Sequence, residues 1–156
     1  MLESLLLKKK VSGSAGPYRY VRLNNLLPPS GTSYVMIVEI QIIDTASATN
    51  WCRQSGAVAS ASSSYTGQTP NQAIDGVIST APGNRWTANG SPAWFMVDMG
   101  QPRTFDSIQI AAMTGYNQDP VKFTIQGSTD GTNFTDLKTV NRGLYPDNVL
   151  TEVYKT

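Results

Sequence analysis

Short segments of alternating apolar and polar residues are the feature of this sequence that most restricts its fold. In VKFTIQGS (121–128), Val121, Phe123 and Ile125 alternate with polar residues, and WFMVDMG (94–100) has the same period. Clusters of Ser, Thr, Asn, Gly and Pro, such as SASSSYTGQTPNQ, separate these segments. After position 17 no long segment has a convincing helical period of about 3.6 residues. We therefore predict an all-β protein, an antiparallel sandwich of the jelly-roll type.

The segment YVMIVEIQII (34–43) is predicted to be a single strand with two different faces. Alternation places Glu39 and Gln41 on one face together with Val35 and Ile37. It places the other apolar residues on the opposite face: Tyr34, Met36, Val38, Ile40 and Ile42. A glutamate on the outward face of a strand is most often solvated, and we expect this of Glu39 taken alone.

The chain divides into a short N-terminal extension and one domain. Its 156 residues suit a single domain with a substantial core. Residues 1–16 carry a leucine-rich run and three lysines, and the turn-rich VSGSAGP (11–17) links them to the rest of the chain. Because a short isolated helix is marginal in water, this extension is either a frayed tail or a docking peptide held by a partner. The β-sandwich domain is assigned to residues 17–156.

Composition argues against most enzyme chemistries. The chain has 0 histidines, which removes Ser-His-Asp and Cys-His arrangements and the usual zinc ligand sets. Its single cysteine, Cys52, excludes an internal disulfide. The net charge of +1 provides no basic field for nucleic acid. The N-terminal run does not have the form of a signal peptide, and no stretch reaches the roughly 20 apolar residues of a membrane span. We expect a non-enzymatic protein with no nucleic-acid partner, no membrane span and no secretion signal.

Asp75, in the motif AIDG, is the acidic residue whose role is hardest to assign. A lone aspartate in a loop is most often a turn or cap residue. Glu39 and Asp75 together would supply two carboxylates for a hard ion such as Ca²⁺, with Thr80 or Asn84 and loop carbonyls completing the ligands. Periodicity alone does not show that the two carboxylates meet, so both interpretations stay open.

Several motifs, in order, resemble those of the discoidin family, the coagulation factor V/VIII type C domain, which is related to galactose-binding carbohydrate modules. They are GAVASASSSYTG, AIDGVIST, RW, PAWFMVDMGQP, FDSIQIAAM and FTIQGSTDGTNFTDL, across residues 56–140. Met99 replaces the leucine of the family's Asp-Leu-Gly motif. The combination is specific, although no single motif is. The resemblance implies a galactose-binding-like β-sandwich.

The segment YRYVRLNN…SYVMIVEIQIID (18–44) resembles the part that normally closes this family's domain, but here it comes first. Chain termini of compact domains often lie close together, so moving a terminal hairpin to the front changes little topologically. We interpret the chain as a circularly permuted discoidin-like domain. The alternative, a fragment cut across two tandem copies, is disfavoured because one complete set of strands is present.

The resemblance implies a structural calcium site formed by Asp75, Thr80, loop carbonyls and Glu39. Permutation would bring Glu39 to Asp75 despite their separation in sequence. The inserted APGN before RW departs from the family's pattern. It leaves three alternatives: Thr80 as the third side chain, Asn84 in its place, or loss of the ion.

Sugar binding in this family implies an aromatic platform with His and Arg in the loops at one end of the sandwich. This chain has no His, and Met113 and Tyr116 stand where the family often has Arg. Trp94 matches the family's core tryptophan and is predicted to be structural. The remaining ligand-binding candidates are Trp51, Arg53, Tyr65, Trp86, Tyr116 and Asn117.

The permuted order and the Tyr-Arg-Tyr-x-Arg-Leu opening resemble modules of phage tail fibres, head fibres and decoration proteins. This implies a virion protein assembled in the host cytoplasm, anchored to other virion proteins through residues 1–16 and attaching to host-surface glycan. It also implies a homo-oligomer, although no residue pattern gives the symmetry. The alternative is a structural or decoration protein whose loops bind other capsid or tail subunits.

Overall fold

A computed structural model describes residues 14–79 and 81–156, and it confirms the predicted antiparallel β-sandwich. Within this part of the chain three short 3₁₀ helices occur, at Trp51–Arg53, Pro70–Ala73 and Pro82–Asn84. No helix among the described residues has the length and hydropathy to cross a membrane. The strands are β1 (Ala15–Leu27), β2 (Met36–Ile37), β3 (Glu39–Asp44), β4 (Thr49–Asn50), β5 (Val58–Ala61), β6 (Trp86–Thr87), β7 (Ala93–Phe105), β8 (Ser107–Ala111), β9 (Lys122–Ser128), β10 (Thr135–Asn141) and β11 (Thr151–Lys155).

Two sheets form the layers of the sandwich. One has the strand order β10-β9-β1-β7-β5 and the other β11-β8-β3-β4, while β2 and β6 pair as a separate ribbon. Leu23 lies opposite Phe95 on one side and Ile125 on the other, so these three side chains share the inner face of the first sheet. They are buried together with Ile40 and Ile108 from the second sheet. The alternation read from the sequence therefore arises because each sheet buries one face.

The N-terminal strand β1 lies in the middle of its sheet and not at an edge. Tyr20 pairs with Asp98 of β7 and with Ser128 of β9. β3 is likewise an inner strand, between β8 and β4. The segment 18–44 thus supplies an inner strand to each of the two sheets.

The segment 34–43 differs from the predicted single strand. It is divided at Val38 into β2 and β3, which pair with different partners, β6 and β8. Residues 35–40 are all buried, because Val35 and Ile37 face the main core while Met36 and Val38 pack in a second apolar cluster. The expectation of an outward, solvated Glu39 is therefore wrong: its exposed fraction is 0%.

Candidate functional site

The buried carboxylate of Glu39 lies against the loop that contains Asp75. Glu39 Oε1 accepts a hydrogen bond from the Gly76 backbone N–H (3.1 Å). Glu39 Oε2 is also buried, and among the described residues it has no hydrogen-bond partner. Asp75 Oδ1 accepts from the Val77 N–H (2.8 Å), which closes the local turn. Glu39, displaced to the front of the chain, therefore does meet the AIDG loop.

The pKa of Glu39 is raised to about 8, first by burial and then by the nearby charge of Asp75. The Gly76 N–H and the guanidinium of Arg53 act in the opposite direction. Arg53 is held beside the loop by a hydrogen bond from its Nη1 to the Ile74 carbonyl oxygen (2.8 Å). An orphaned carboxylate oxygen beside a second carboxylate fits either a proton or a hard cation, because each would neutralise the buried charge.

Two further predicted metal ligands are Thr80 and Asn84. Thr80 lies outside the described residues. Asn84 ends the 3₁₀ helix Pro82–Asn84, where its backbone N–H donates to the Ala81 carbonyl oxygen (3.0 Å). Across residues 14–79 and 81–156 no cluster of three or more Asp, Glu, Cys or His side chains has metal-site spacing. Any ion here would have two carboxylates, Glu39 and Asp75, with carbonyl, hydroxyl or amide oxygens for the rest.

A cleft of about 230 Å³ opens among loops from distant parts of the chain. Tyr34 and Tyr65 meet edge to face, with ring centroids 5.9 Å apart. The guanidinium carbon of Arg85 lies 5.3 Å from the centroid of the Tyr116 ring. We call this feature the tyrosine cleft, and its lining residues are Tyr34, Tyr65, Gln68, Arg85, Thr87, Tyr116 and Gln118.

Arg85 is the charged group of the tyrosine cleft, and it is buried. Its Nε donates to Gln68 Oε1 (3.1 Å), and its Nη1 lies 3.9 Å from the Met113 sulfur. Thr87 Oγ1 also donates to Gln68 Oε1, which fixes that amide. Among the described residues no carboxylate forms a salt bridge with Arg85. The cleft therefore presents a positioned positive charge whose protein partners are neutral.

Two predicted ligand-binding residues, Tyr65 and Tyr116, line the tyrosine cleft, and both are exposed. Asn117 follows Tyr116 with a left-handed φ of 55°, and its Nδ2 donates to the Ser30 carbonyl oxygen (3.3 Å). The sequence interpretation missed Tyr34, assigned to a strand, and Arg85, which stands in the RW motif. The RW motif was the sequence signal for the loop that contributes Arg85 to the cleft.

The burial of two tryptophans differs from the prediction. Trp86 is 0% exposed, its ring centroid lies 5.0 Å from that of Phe95, and its Nε1 donates to the Ser63 carbonyl oxygen (3.0 Å). Burial removes Trp86 from the ligand-binding candidates. Trp94, predicted to be in the core, is half-buried on the outer face of β7.

Trp51 and Arg53 lie outside the tyrosine cleft. Trp51 Nε1 donates to the Thr104 carbonyl oxygen (2.8 Å), and the Arg103 guanidinium carbon is 4.4 Å from its ring centroid. Arg53 belongs to the Glu39–Asp75 loop described above. Neither side chain joins the aromatic platform.

A jelly-roll sandwich with a cleft of aromatic and hydrogen-bonding side chains among its loops defines a binding module. The sequence model of the F5/8 type C domain matches residues 57–155, and the chain belongs to this family. Domains of this family are carbohydrate- or ligand-binding modules and generally non-enzymatic. No curated protein and no solved structure matches the chain. The matched segment begins after β4. Strands β1 and β3, which complete the two sheets, therefore lie outside the matched segment.

Proposed function

We propose that this chain is a non-enzymatic module of a phage virion that attaches to host-surface carbohydrate through the tyrosine cleft. The observation that carries the proposal is the cleft itself, with three tyrosine rings around a buried Arg85. Ligand sites combine apolar walls with a few positioned polar groups, and this cleft has that composition.

The chemistry of the cleft suits a sugar. Tyrosine rings offer flat apolar faces for the C–H face of a pyranose, and their hydroxyls add hydrogen bonds at the edge. The Arg85 guanidinium and the Gln118 amide supply donors for sugar hydroxyl or carboxylate oxygens. Because Gln68 and Thr87 already hold Arg85 and its partner in place, little ordering is needed when a ligand binds.

The virion assignment is supported by the sequence order and not by a contact. The permuted arrangement and the YRYVRL strand resemble phage appendage and decoration modules. In this proposal residues 1–16 anchor the module to other virion proteins. Deletion of residues 1–14, which leaves β1 (Ala15–Leu27) intact, should abolish incorporation into particles, and particles that still incorporate the truncated protein would refute the anchoring role.

We also propose that the Glu39–Asp75 loop holds a structural Ca²⁺ ion. The fit rests on the orphaned Glu39 Oε2 and the adjacent Asp75 carboxylate, which are hard oxygen donors. The ion would neutralise a buried charge and tie β3 to the AIDG loop. A melting temperature that is unchanged when EDTA replaces Ca²⁺ would refute this part.

A glycan array tests the carbohydrate proposal. The wild-type protein should bind a subset of bacterial surface glycans, and Tyr116→Ala should lose about tenfold in affinity because a stacking ring is removed. Leu144→Ala is the matched control, since Leu144 is also an exposed loop residue but lies outside the cleft. Absence of binding to any surface glycan would refute the proposal and favour a decoration protein whose loops bind other virion subunits.

A further inference from the structure

A second cavity lies on the outer face of the five-stranded sheet, away from the tyrosine cleft. It is an open depression of about 470 Å³, within the size range of ligand sites. It shares no lining residue with the tyrosine cleft. We call it the outer groove, and its polar and aromatic lining residues are Asn24, Asn25, Trp94, Thr124, Gln126 and Asp136.

The groove runs across strands and not along one. Its lining comes from β10, β9, β1 and β7, which are consecutive neighbours in the sheet. Three strand spacings correspond to about 14 Å. A groove of this length is longer than one sugar ring, so it suits an oligomeric ligand and not a monosaccharide.

An irregularity in β1 places two adjacent amides in the groove. In a regular strand, Asn24 and Asn25 would point to opposite faces. Here the register of β1 shifts against both β7 and β9 around these two residues, and Asn25 has a left-handed φ of 54°. Both therefore line the same groove.

The other polar groups of the groove are held in place. Gln126 Oε1 accepts from Arg22 Nε (2.8 Å), and Gln126 Nε2 donates to Asp136 Oδ1 (2.7 Å). The Arg22 guanidinium carbon also lies 3.6 Å from the centroid of the Phe134 ring. Arg22 therefore holds Gln126 in place from beside the groove, and Asp136 is the charged residue that lines it.

We propose that the outer groove is a second glycan-binding site, specific for a neutral oligosaccharide. The half-buried Trp94 supplies a flat apolar face for a sugar ring. The amides of Asn24, Asn25 and Gln126 both donate and accept, as sugar hydroxyls require. Asp136 accepts from hydroxyls, and because the neighbouring Arg22 balances its charge, the groove favours a neutral ligand. The site is independent of the tyrosine cleft, so it does not rest on the proposed function.

A ¹⁵N NMR titration can monitor binding at the outer groove through the indole signal of Trp94, which lines it. The chain has only 3 tryptophans, so their indole signals can be told apart. The probes are cellotetraose, maltotetraose, tetra-N-acetylchitotetraose and, as the acidic comparison, tetragalacturonate, all at millimolar concentration. At least one neutral probe should shift the Trp94 signal in a saturable manner and leave that of the buried Trp86 unchanged. Tetragalacturonate should not shift it. Failure of all three neutral probes, or an equal response to the acidic one, would overturn the proposal.

Amino-acid substitutions distinguish binding at the outer groove from binding at the tyrosine cleft. Trp94→Ala should weaken binding of the responding probe about tenfold, and Gln126→Ala, read at the intact Trp94, should weaken it several-fold. Trp94→Phe retains a stacking ring and should lose less, which keeps the test valid if the alanine variant folds poorly. If Gln126→Ala bound the probe with unchanged affinity, the proposal that the outer groove binds it would be overturned. Shifts confined to the Arg85 Nε–H would support the tyrosine cleft alone and contradict the groove.

Discussion

Replacing Glu39 by glutamine should change how the stability of the metal-free protein depends on pH. The pKa of Glu39 is raised to about 8 in the folded protein, mainly by burial, from an ordinary value of 4.5. Between these two values the folded chain binds more protons at this site than the unfolded chain does. Stability therefore falls as pH rises from 4.5 to about 8 and is constant in this respect above that range.

The size of the effect follows from the shift. Each pH unit inside the window costs at most about 1.4 kcal/mol, so raising the pH from about 5.5 to 7.5 removes roughly 3 kcal/mol. For a chain of 156 residues this is a fall in melting temperature of roughly 6 to 12 °C. In Glu39→Gln the amide retains the acceptor for the Gly76 N–H but has no proton to lose. The unfolding free energy of Glu39→Gln should therefore not fall over this pH range.

Urea unfolding in EDTA at several pH values measures both proteins. The difference in unfolding free energy between wild type and Glu39→Gln should change by roughly 3 kcal/mol across the window. Added Ca²⁺ should stabilise wild type most at high pH, where the carboxylate is ionised, and should not stabilise the glutamine variant. If the unfolding free energies of the two proteins changed with pH in parallel, Glu39 would not have the raised pKa that its burial predicts.

Three further predictions concern the core and the sheet. Trp86→Ala should cost about 3 to 5 kcal/mol in urea unfolding because its ring is fully buried, and a loss under 1 kcal/mol would contradict the packing. The buried Cys52 thiol, whose pKa burial raises to about 12, should not react with a thiol reagent until the protein unfolds, and rapid labelling at neutral pH would disprove its burial. Gly127→Ala should destabilise by about 1 to 3 kcal/mol, since its Cβ would lie 2.6 Å from the Tyr18 ring. Gly143→Ala, which meets nothing within 4 Å, is the matched control, and equal stabilities would argue against the Tyr18 contact.

The sheet architecture could be predicted because strand periodicity follows burial of one face. In β9, Phe123 and Ile125 are buried while Thr124 between them is only half-buried, as the alternation indicated. For the segment 34–43 the same reasoning gave a wrong prediction, because apolar clusters lie on both of its sides. With both faces buried, alternation carries no information about direction, and Glu39 could not be recognised as buried.

The candidate site was predictable only in part. The pairing of Glu39 with the Asp75 loop followed from the family resemblance, since the two residues are distant in the sequence. The tyrosine cleft brings Tyr34, Tyr65 and Arg85 together through loops whose spacing along the chain gives no sign of proximity. The burial of Trp86 and the half-buried position of Trp94 have a similar cause, because side-chain direction in a strand depends on its register.

A titration of the glycan selected by the array, followed at the Arg85 Nε–H by NMR, tests the central claim most directly. The account predicts a saturable shift of this signal, with an affinity that falls about tenfold in Tyr116→Ala and stays unchanged in Leu144→Ala. Glycan binding that leaves the Arg85 signal unmoved and is indifferent to Tyr116→Ala would contradict carbohydrate recognition by the tyrosine cleft.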